Sequence, residues 1–370
     1  MIAHLTSAHP RYDTRIYHKM CRSLANHGRS VTLVVGDGKG DEIVDDVTIC
    51  DVGASEGRAS RIRHAPGRVF ARALALDADL YHLHDPELIP VGLRLKKRGK
   101  RVIFDSHEDV PRQMLSKPYL NLPARWGLSQ ALRLYETFAC TRFDGVIAAT
   151  PFIRDKFLSI NENSIDINNF PLLDELASPS AWSAKEQEVC YVGGIGKIRG
   201  IEEVCSAMGQ VRSNARLNLA GQFADAELEA RMRATPGWGR IDALGFIDRN
   251  GVRDVLARSM AGLVTFHPLP NHIDAQPNKM FEYMSAGIPV IASDFSLWRQ
   301  IIAGNDCGLL VDPLEPSAIA RAIDTLVYDP ELAQRMGENG REAVEREYNW
   351  GTEELKLFDF YERIMRGTAQ

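Results

Sequence analysis

Short β-branched runs recur along this chain and alternate with longer segments in which apolar residues repeat at helical spacing, such as "RIYHKMCRSLANHG" and "LSQALRLYETFACTRF". This alternation is typical of βαβ units, in which each crossover helix leads the chain back to a parallel strand. The predicted strands are "MIAHLT", "VTLVV", "VTICDV", "DLYHLH", "RVIFDSH", "GVIAAT" and "SIDINNF" in the first half, then "VCYVGG", "ARLNLAG", "IDALGFI", "AGLVTF", "PVIAS" and "GLLVD" in the second. The pattern therefore predicts an α/β protein with two successive open sheets.

The length of 370 residues also favours two domains, because a single core seldom grows so large. The segment "PLLDELASPSAWSAKEQE" breaks the periodicity with proline, serine and charge, which predicts a linker. We predict a first domain over residues 1–172, a linker over 173–188 and a second domain over 189–348. The apolar periodicity after position 349 predicts a terminal helix over 349–370 that packs back on the first domain.

Composition narrows the class of protein. With 45% hydrophobic and 25% charged residues the chain is typical of soluble globular proteins, and a net charge of −5 argues against a nucleic-acid partner. No apolar run approaches the length of a membrane span, and no basic segment with an apolar core resembles an export signal. Six cysteines lie scattered without a CxxC pair, which is typical of core thiols in a reducing compartment. We therefore expect a cytoplasmic protein.

The stretch "DAQPNKMFEYMSAGIPVIAS" predicts a short helix over residues 277–286, with Pro277 at its first position and Gly287 ending it. The free N–H groups near Asn278 and Lys279 would form an anion site, and the lysine adds a positive charge. Glu282 lies one turn further on the same face, where a carboxylate can accept two hydrogen bonds from a vicinal diol. This pattern suits a nucleoside diphosphate. An amphipathic helix with a solvated glutamate is the alternative.

A second candidate is "YVGGIGKIRGIEEV", a strand followed by a glycine-rich turn. Glycines such as Gly194 let the backbone approach an anion closely, and Lys197 and Arg199 supply charge to neutralise it. The turn matches neither GxGxxG nor a P-loop, so an ordinary βα turn is the alternative.

Together, the "GG…RG" turn, "PNKMFEYMSAGIPVIAS", "GLLVDP" and the final "YNW" helix resemble the retaining glycosyltransferases of family 4, and the first loop resembles their bacterial surface-polysaccharide branch. The resemblance implies the GT-B architecture, two Rossmann-like domains that face each other across a cleft. It also implies that Glu282 binds the ribose and that Arg199 and Lys279 bind the diphosphate. Asp274 stands where the family usually has a first glutamate, and Gly194 stands where an arginine often occurs.

The first half offers further candidates. In "TSAHPRYDTRIYHK", Asp13 is placed to cap the first helix and Arg15 to touch phosphate, while a capping aspartate beside solvated arginines is the alternative. His82 and His84 share one face of a strand, but no third metal ligand is visible at suitable spacing, so no metal site is predicted. His107 ends the strand "VIFDSH". The resemblance implies that it lies beside the transferred sugar, and a capping cluster is the alternative.

The resemblance implies a retaining transfer from a nucleotide sugar to a glycan or polyprenyl-diphosphate-linked acceptor, with no cofactor and no metal. Backbone contacts at the strand end from Gly245 to Ile247 would distinguish the base of the donor nucleotide, and we expect UDP in preference to GDP. Arginines interleaved with Val69 and Phe70 in "RASRIRHAPGRVFARAL" predict a helix that touches anionic lipid, as an alternative to ordinary surface.

The sequence argues against three other functions. A nucleotide-sugar 2-epimerase would share the architecture but would need acids in the first domain for proton abstraction. A non-catalytic two-domain binding protein normally carries an export signal. A dinucleotide dehydrogenase would want GxGxxG after the first strand, where this chain has "SAHPRYD".

Overall fold

The computed structural model describes residues 1–115, 120–173, 175–176 and 182–367. It divides the chain into two compact units, one formed by residues 1–169 together with 350 onward, and the other by residues 170–349.

The strands and helices alternate along the chain as the sequence predicts. The strands are β1 (Ile2–Leu5), β2 (Val31–Val35), β3 (Glu42–Val44), β4 (Val47–Asp51), β5 (Leu80–Leu83), β6 (Arg101–Ser106), β7 (Gly145–Ala148), β8 (Ser164–Asp166), β9 (Glu188–Val192), β10 (Arg216–Ala220), β11 (Ile241–Gly245), β12 (Ala261–Val264), β13 (Val290–Ser293) and β14 (Gly308–Val311). The helices are α1 (Arg22–Asn26), α2 (Gly57–Leu76), α3 (Ile89–Lys96), α4 (Val110–Leu115), α5 (Leu122–Cys140), α6 (Pro151–Leu158), α7 (Ile201–Met208), α8 (Ala226–Arg233), α9 (Arg249–Arg258), α10 (Asn278–Ser285), α11 (Ser296–Ile302), α12 (Pro316–Tyr328), α13 (Pro330–Arg346) and α14 (Trp350–Arg366).

The first unit contains an eight-stranded sheet in the order β3-β4-β2-β1-β5-β6-β7-β8. All neighbouring strands are parallel except β3, which pairs antiparallel with β4. The π-helical segment Thr14–Cys21 leads from β1 into α1, and Asp13 caps it by accepting hydrogen bonds from the backbone N–H groups of Arg15 and Ile16. The predicted capping role of Asp13 is therefore confirmed.

The second unit contains a six-stranded parallel sheet in the order β11-β10-β9-β12-β13-β14. β9 lies beside β10 on one side and β12 on the other, so the chain order reverses at β9. In open parallel sheets ligands bind at the carboxyl ends of the strands near such a switch point. A ligand site is therefore expected in the loops after β9, β10 and β12.

All thirteen predicted strands are present, and only β3 was missed because three residues in an exposed hairpin carry a weak signal. The boundary between the units differs from the prediction. It falls between Asn169 and Phe170, because the Phe170 ring packs in the second unit against Phe281 and Tyr348, at centroid distances of 4.7 and 5.4 Å. Residues 174 and 177–181 of the predicted linker lie outside the described residues.

Helix α14 belongs to the first unit, as the fold prediction placed it. The Trp350 indole donates a hydrogen bond of 2.8 Å to Ser23 Oγ, and Glu353 accepts one of 2.7 Å from the backbone N–H of Asn168. All six cysteines are buried and unpaired. Among the described helices, none is long and apolar enough to cross a membrane.

Candidate functional site

Helix α10 begins at Asn278, and Pro277 precedes it as an N-cap residue with an extended backbone. The predicted helix is confirmed, although Pro277 stands one position earlier than expected. Asn278 is exposed at its first position, while the Lys279 side chain turns into the protein and is only 8% exposed. The N–H groups at this end have no partners within the helix and present a partial positive charge.

Lys279 is a buried cation in the second unit. Its Nζ lies 3.6 Å from the centroid of the Tyr191 ring and has no hydrogen-bond partner among the described residues. Burial, with a further contribution from the nearby Arg199, lowers the pKa of Lys279 to about 7. A buried ammonium without a counter-charge is costly, so the site favours an anion that would supply one.

The glycine-rich turn after β9 lies against this lysine. A side chain at Gly193 would meet Lys279 at 3.5 Å, and the Arg199 guanidinium donates a hydrogen bond of 3.1 Å to the carbonyl of Gly194. Gly200 has a φ of +80°, and a Cβ there would lie 2.0 Å from the carbonyl oxygen of Thr265. Glycine is required at position 200 for both reasons, and the close approach brings the turn to the loop after β12.

Lys197 and Arg199 differ in their surroundings. The Lys197 side chain is 64% exposed and forms an ion pair of 3.2 Å with Glu202. Arg199 is also exposed, but its guanidinium is 5.8 Å from the Phe266 ring, which Lys279 also approaches at 5.7 Å. The structure therefore brings Arg199 and Lys279 together and leaves Lys197 on the outer side of the turn.

Glu282 lies one turn into α10 with a side chain 18% exposed. Its carboxylate accepts a hydrogen bond of 2.8 Å from Arg249, whose guanidinium also bonds Glu175 at 2.8 Å. The solvated glutamate of the alternative interpretation is therefore wrong. Arg249 was missed by the sequence analysis, although its position at the start of the helix that follows β11 placed it at the carboxyl edge of the sheet.

A cavity of about 460 Å³ opens beside the glycine-rich turn at the carboxyl ends of β9, β10 and β11. Its lining includes Ile195, Gly221, Phe223, Gly245 and Phe246. Apolar and polar groups share its walls, since the lining also includes Gln222, Asp225, Glu229 and Arg233, and a flat heterocycle with polar edges would find partners of both kinds there.

The remaining predicted residues of the second unit are also near strand ends. Gly245 is exposed with a φ of +67°, and Ile247 is half-buried against the core. Asp274 is half-buried in the loop that leads to α10. Nothing in its surroundings tests the role predicted for it.

In the first unit, Asp105 is the centre of a buried polar network. The Arg15 guanidinium bonds both of its oxygens, at 3.0 and 2.8 Å, and also bonds the carbonyl of Ile167. Burial alone would raise the pKa of Asp105, but Arg15 and His107 hold it well below its usual range. Arg15 is 4% exposed. The structure thus contradicts the solvated alternative for Arg15, while one N–H group on each terminal nitrogen has no bond in this network and the predicted phosphate contact stays a prediction.

His107 extends this network to the surface. Its Nε2 lies 3.2 Å from Asp105 and 3.3 Å from His84, and its side chain is 19% exposed. The predicted candidate is therefore held by a buried carboxylate, and its side chain is partly exposed. Burial lowers the pKa of His84 to about 4, so that imidazole is neutral.

The network continues inward from His84 to helix α14. His84 Nε2 lies 2.9 Å from His4 Nδ1, and Tyr361 Oη lies 3.3 Å from His4 Nε2 and 2.5 Å from His82 Nδ1. One assignment of protons satisfies all three contacts. His82 Nδ1–H donates to the Tyr361 oxygen, the Tyr361 hydroxyl donates to His4 Nε2, and His4 Nδ1–H donates to His84 Nε2, so the last two bonds run towards Asp105. Burial lowers the pKa of both His4 and His82, which agrees with neutral rings.

The sequence spacing showed no third metal ligand near His82 and His84, but the fold brings further candidate ligands close to both. The parallel pairing of β1 and β5 supplies His4, and β6 supplies Asp105 with His107. Hydrogen bonds account for these contacts, and the guanidinium of Arg15 already bonds both oxygens of Asp105. We assign the group of His84, Asp105 and His107 to hydrogen bonding because a metal ion on that carboxylate would face the guanidinium at close range. In the group of His4, His82 and His84, hydrogen bonds engage His4 and His84, whereas His82 Nε2 has no partner among the described residues.

The second unit therefore combines a helix N-terminus, two cations, a carboxylate one helical turn away and an adjoining cavity. The helix N-terminus and the two cations suit an anion, the carboxylate suits a vicinal diol, and the cavity suits a heterocycle.

Comparisons with known proteins agree with this arrangement. Residues 14–164 match the glycosyl transferase 4-like domain, and residues 174–343 match glycosyl transferases group 1. A phosphatidyl-myo-inositol mannosyltransferase of Mycobacterium leprae is 33% identical over 324 residues, which cover 83% of this chain and 80% of that protein.

Two solved structures show the same fold. Sucrose-phosphate synthase from Thermosynechococcus elongatus has a TM-score of 0.80 at 20% identity and covers 99% of both chains. HepE from Anabaena, solved in complex with UDP, has a TM-score of 0.73 at 16% identity and covers 98% of this chain and 99% of its own.

Proposed function

Because the chain belongs to the group 1 glycosyltransferases and has the GT-B fold, we propose that it transfers a sugar, with retention at the anomeric carbon, from a nucleotide-diphosphate sugar. The acceptor is a glycan or a polyprenyl-diphosphate-linked glycan of bacterial polysaccharide biosynthesis. The transferred unit is a hexose or an N-acetylhexosamine.

The observation that carries this proposal is the buried Lys279 Nζ without a described partner, next to Arg199 and one turn from Glu282. A diphosphate would supply the counter-charge that Lys279 lacks, and the ribose would then meet the Glu282 carboxylate. The cavity beside Gly245 has room for the base. The Arg249 guanidinium bonds Glu175 through one nitrogen and Glu282 through another, and it thereby fixes the position of the Glu282 carboxylate.

In the proposed reaction the acceptor hydroxyl attacks the anomeric carbon on the face from which the diphosphate departs. The bond from that carbon to the phosphate oxygen breaks, the new glycosidic bond forms, and the hydroxyl proton passes to the leaving diphosphate. Arg199, Lys279 and the N–H groups of α10 stabilise the charge that develops on the diphosphate. His107 contacts the transferred sugar, and Asp274 contributes a second acid at the donor.

No metal or cofactor is required in this proposal, since two cations and a helix N-terminus already neutralise the diphosphate. UDP is the favoured base, and the UDP complex of the HepE structure supports that choice, with GDP as the alternative. The six buried unpaired cysteines support a reducing, cytoplasmic location.

The first test is calorimetric titration of the protein with UDP, GDP, ADP and NAD, without divalent metal and then with it. We expect one nucleoside diphosphate to bind in the absence of metal. Glu282→Ala should weaken that binding by roughly ten- to a hundredfold, because a hydrogen bond to a charged group contributes about 1.5–3 kcal/mol. The matching sugar donor should then be hydrolysed slowly, and the anomeric configuration of the released sugar reports retention.

Glu342→Ala is the matched control, since Glu342 is an exposed glutamate on α13 in the same unit. Its nucleotide affinity should equal that of the unaltered protein. Binding of NAD alone, or an unchanged affinity in Glu282→Ala, would contradict the proposal. Conversion of the nucleotide sugar without transfer or hydrolysis would instead indicate an epimerase.

A further inference from the structure

Helix α5 packs into the first unit along a narrow edge. Only four of its 19 residues are buried, namely Ser129, Glu136, Ala139 and Cys140. The rest of the helix exposes large apolar side chains, with Leu122 75% exposed and Leu134 71% exposed. The exposed apolar residues, called the α5 face below, are Leu122, Trp126, Leu128, Leu134, Tyr135 and Phe138.

The α5 face occupies a broad part of the helix surface. At about 100° per residue, five of its six residues, from Trp126 round to Leu128, span an arc of roughly 200° that excludes the buried residues, while Leu122 lies outside this arc at the first position of the helix. Leaving so many aromatic and aliphatic side chains in water is unfavourable, and contiguous exposed apolar surface of this kind marks an interaction site.

The charged side chains that α5 itself exposes are positive, whereas the neighbouring α6 also carries the exposed Asp155. Glu136, the only acid of α5, is buried and bonds Lys156 at 2.7 Å. Arg133 is exposed on the helix, and the Arg142 guanidinium lies over the Phe138 ring at 3.8 Å. On the neighbouring α4, the Arg112 guanidinium lies 4.6 Å from the exposed Phe152 ring. Apolar side chains bordered by arginines are typical of helices that lie in a membrane interface.

From these contacts we propose that the α5 face binds the surface of an anionic phospholipid membrane, with its apolar side chains among the acyl chains and its arginines at the headgroups. Trp126 and Tyr135 would sit at the headgroup level, where amphipathic rings are favoured. No described helix can span a membrane, so the contact is peripheral. Only the purpose of this contact, access to a lipid-linked acceptor, rests on the proposed function.

A second copy of the chain suits this face less well. In a twofold symmetric interface the same patch lies on both sides, so the arginines of one copy would approach those of the other. The α5 helix has no exposed acid to compensate them. Anionic lipid supplies the opposite charge directly.

The structure also moves the predicted lipid contact to a different helix. The sequence analysis assigned it to the segment that forms α2, because arginines there alternate with Val69 and Phe70. Both apolar residues are buried in the core of the first unit, and the Arg94 guanidinium covers the Phe70 ring at 3.6 Å. On α2, Val69 and Phe70 therefore point inward although Ile62 is exposed, whereas α5 directs most of its large apolar residues outward.

The test is co-sedimentation of the full-length protein with vesicles of phosphatidylcholine alone and of phosphatidylcholine mixed with phosphatidylglycerol, without any sugar donor. We expect binding to the mixed vesicles, weakened by salt. Leu134→Ser should reduce the vesicle partition coefficient on the order of tenfold, because it removes one deeply inserted apolar side chain. Arg133→Glu should reduce it on anionic vesicles alone.

Two variants control this experiment. Leu355→Ser alters an equally exposed leucine on α14, and Ile62→Ser alters an exposed apolar residue of α2. Both should bind vesicles as the unaltered protein does. The proposal is overturned if the protein binds neither kind of vesicle. It is also overturned if Ile62→Ser loses vesicle binding while Leu134→Ser keeps it. A dimer in light scattering that Leu134→Ser dissociates would overturn it as well, in favour of a second copy of the chain. Because no donor is present, these outcomes are independent of whether sugar transfer is found.

Discussion

At the scale of single residues, Lys279 decides how the candidate site responds to pH. Its ammonium has aromatic rings on one side and Arg199 nearby, and burial lowers its pKa to about 7. A bound diphosphate would raise that pKa again, because opposite charge favours the protonated form. Binding should therefore be coupled to uptake of a proton.

We predict that UDP affinity falls as the pH rises above about 7, by at most tenfold per pH unit, because the neutral lysine must first bind a proton. Calorimetry at about pH 8 in two buffers of different ionisation enthalpy should show close to one proton taken up per UDP bound.

Two substitutions locate the effect. Lys279→Met should weaken binding and remove the proton uptake. Lys197→Met removes a lysine that is exposed on the outer side of the turn, and its proton uptake should be unchanged. If the unaltered protein takes up no proton at this pH, the lowered pKa of free Lys279 is contradicted. An unchanged UDP affinity in Lys279→Met would contradict the contact between Lys279 and the diphosphate.

At the scale of elements, α14 completes the polar network of the first unit. Tyr361 on this helix contacts His82 and His4, whose strands form the centre of the sheet. All three side chains are buried, so the Tyr361 hydroxyl, His82 Nδ1 and His4 Nε2 depend on one another for hydrogen bonds.

Tyr361→Phe should lower the free energy of unfolding by about 1–3 kcal/mol, because it leaves polar atoms of buried histidines without a partner. Urea denaturation followed by circular dichroism measures this change. Tyr328→Phe is the matched control, since Tyr328 is 65% exposed on α12 and its loss should change the stability by less than about 0.5 kcal/mol. Equal stability of the two variants would show that the network contributes nothing.

At the scale of the whole molecule, each unit has a sheet and a buried core of its own. Domains of this size usually unfold as separate cooperative units. The proposed nucleotide site lies in the second unit, whereas Tyr361 lies in the first.

We therefore predict two transitions in differential scanning calorimetry. UDP at a hundredfold excess over its dissociation constant should stabilise one of them by about 2.7 kcal/mol and leave the other unchanged. Tyr361→Phe should lower the transition that UDP does not affect. A single transition that moves as a whole in both experiments would contradict the independence of the units.

The sequence by itself determined the order of strands and helices, since the period of apolar residues is a local property, and β3 alone was too short to show it. It also placed the helix from Asn278 and the glycine-rich turn, because proline and glycine restrict the backbone directly. The sequence therefore placed the residues of this helix and this turn near strand ends. It did not predict which groups their side chains contact, because those contacts join distant parts of the chain.

Only the tertiary structure decided those contacts. It buried Arg15 against Asp105 across 90 positions of the chain, brought Arg249 to Glu282 across 33, and gathered His4 with His82 through strand pairing. It also turned Phe70 inward and Leu134 outward, although both lie in helices with similar apolar periodicity. Burial, and with it the charge state of a group such as Lys279, depends on which elements pack together, and spacing along the chain does not record that.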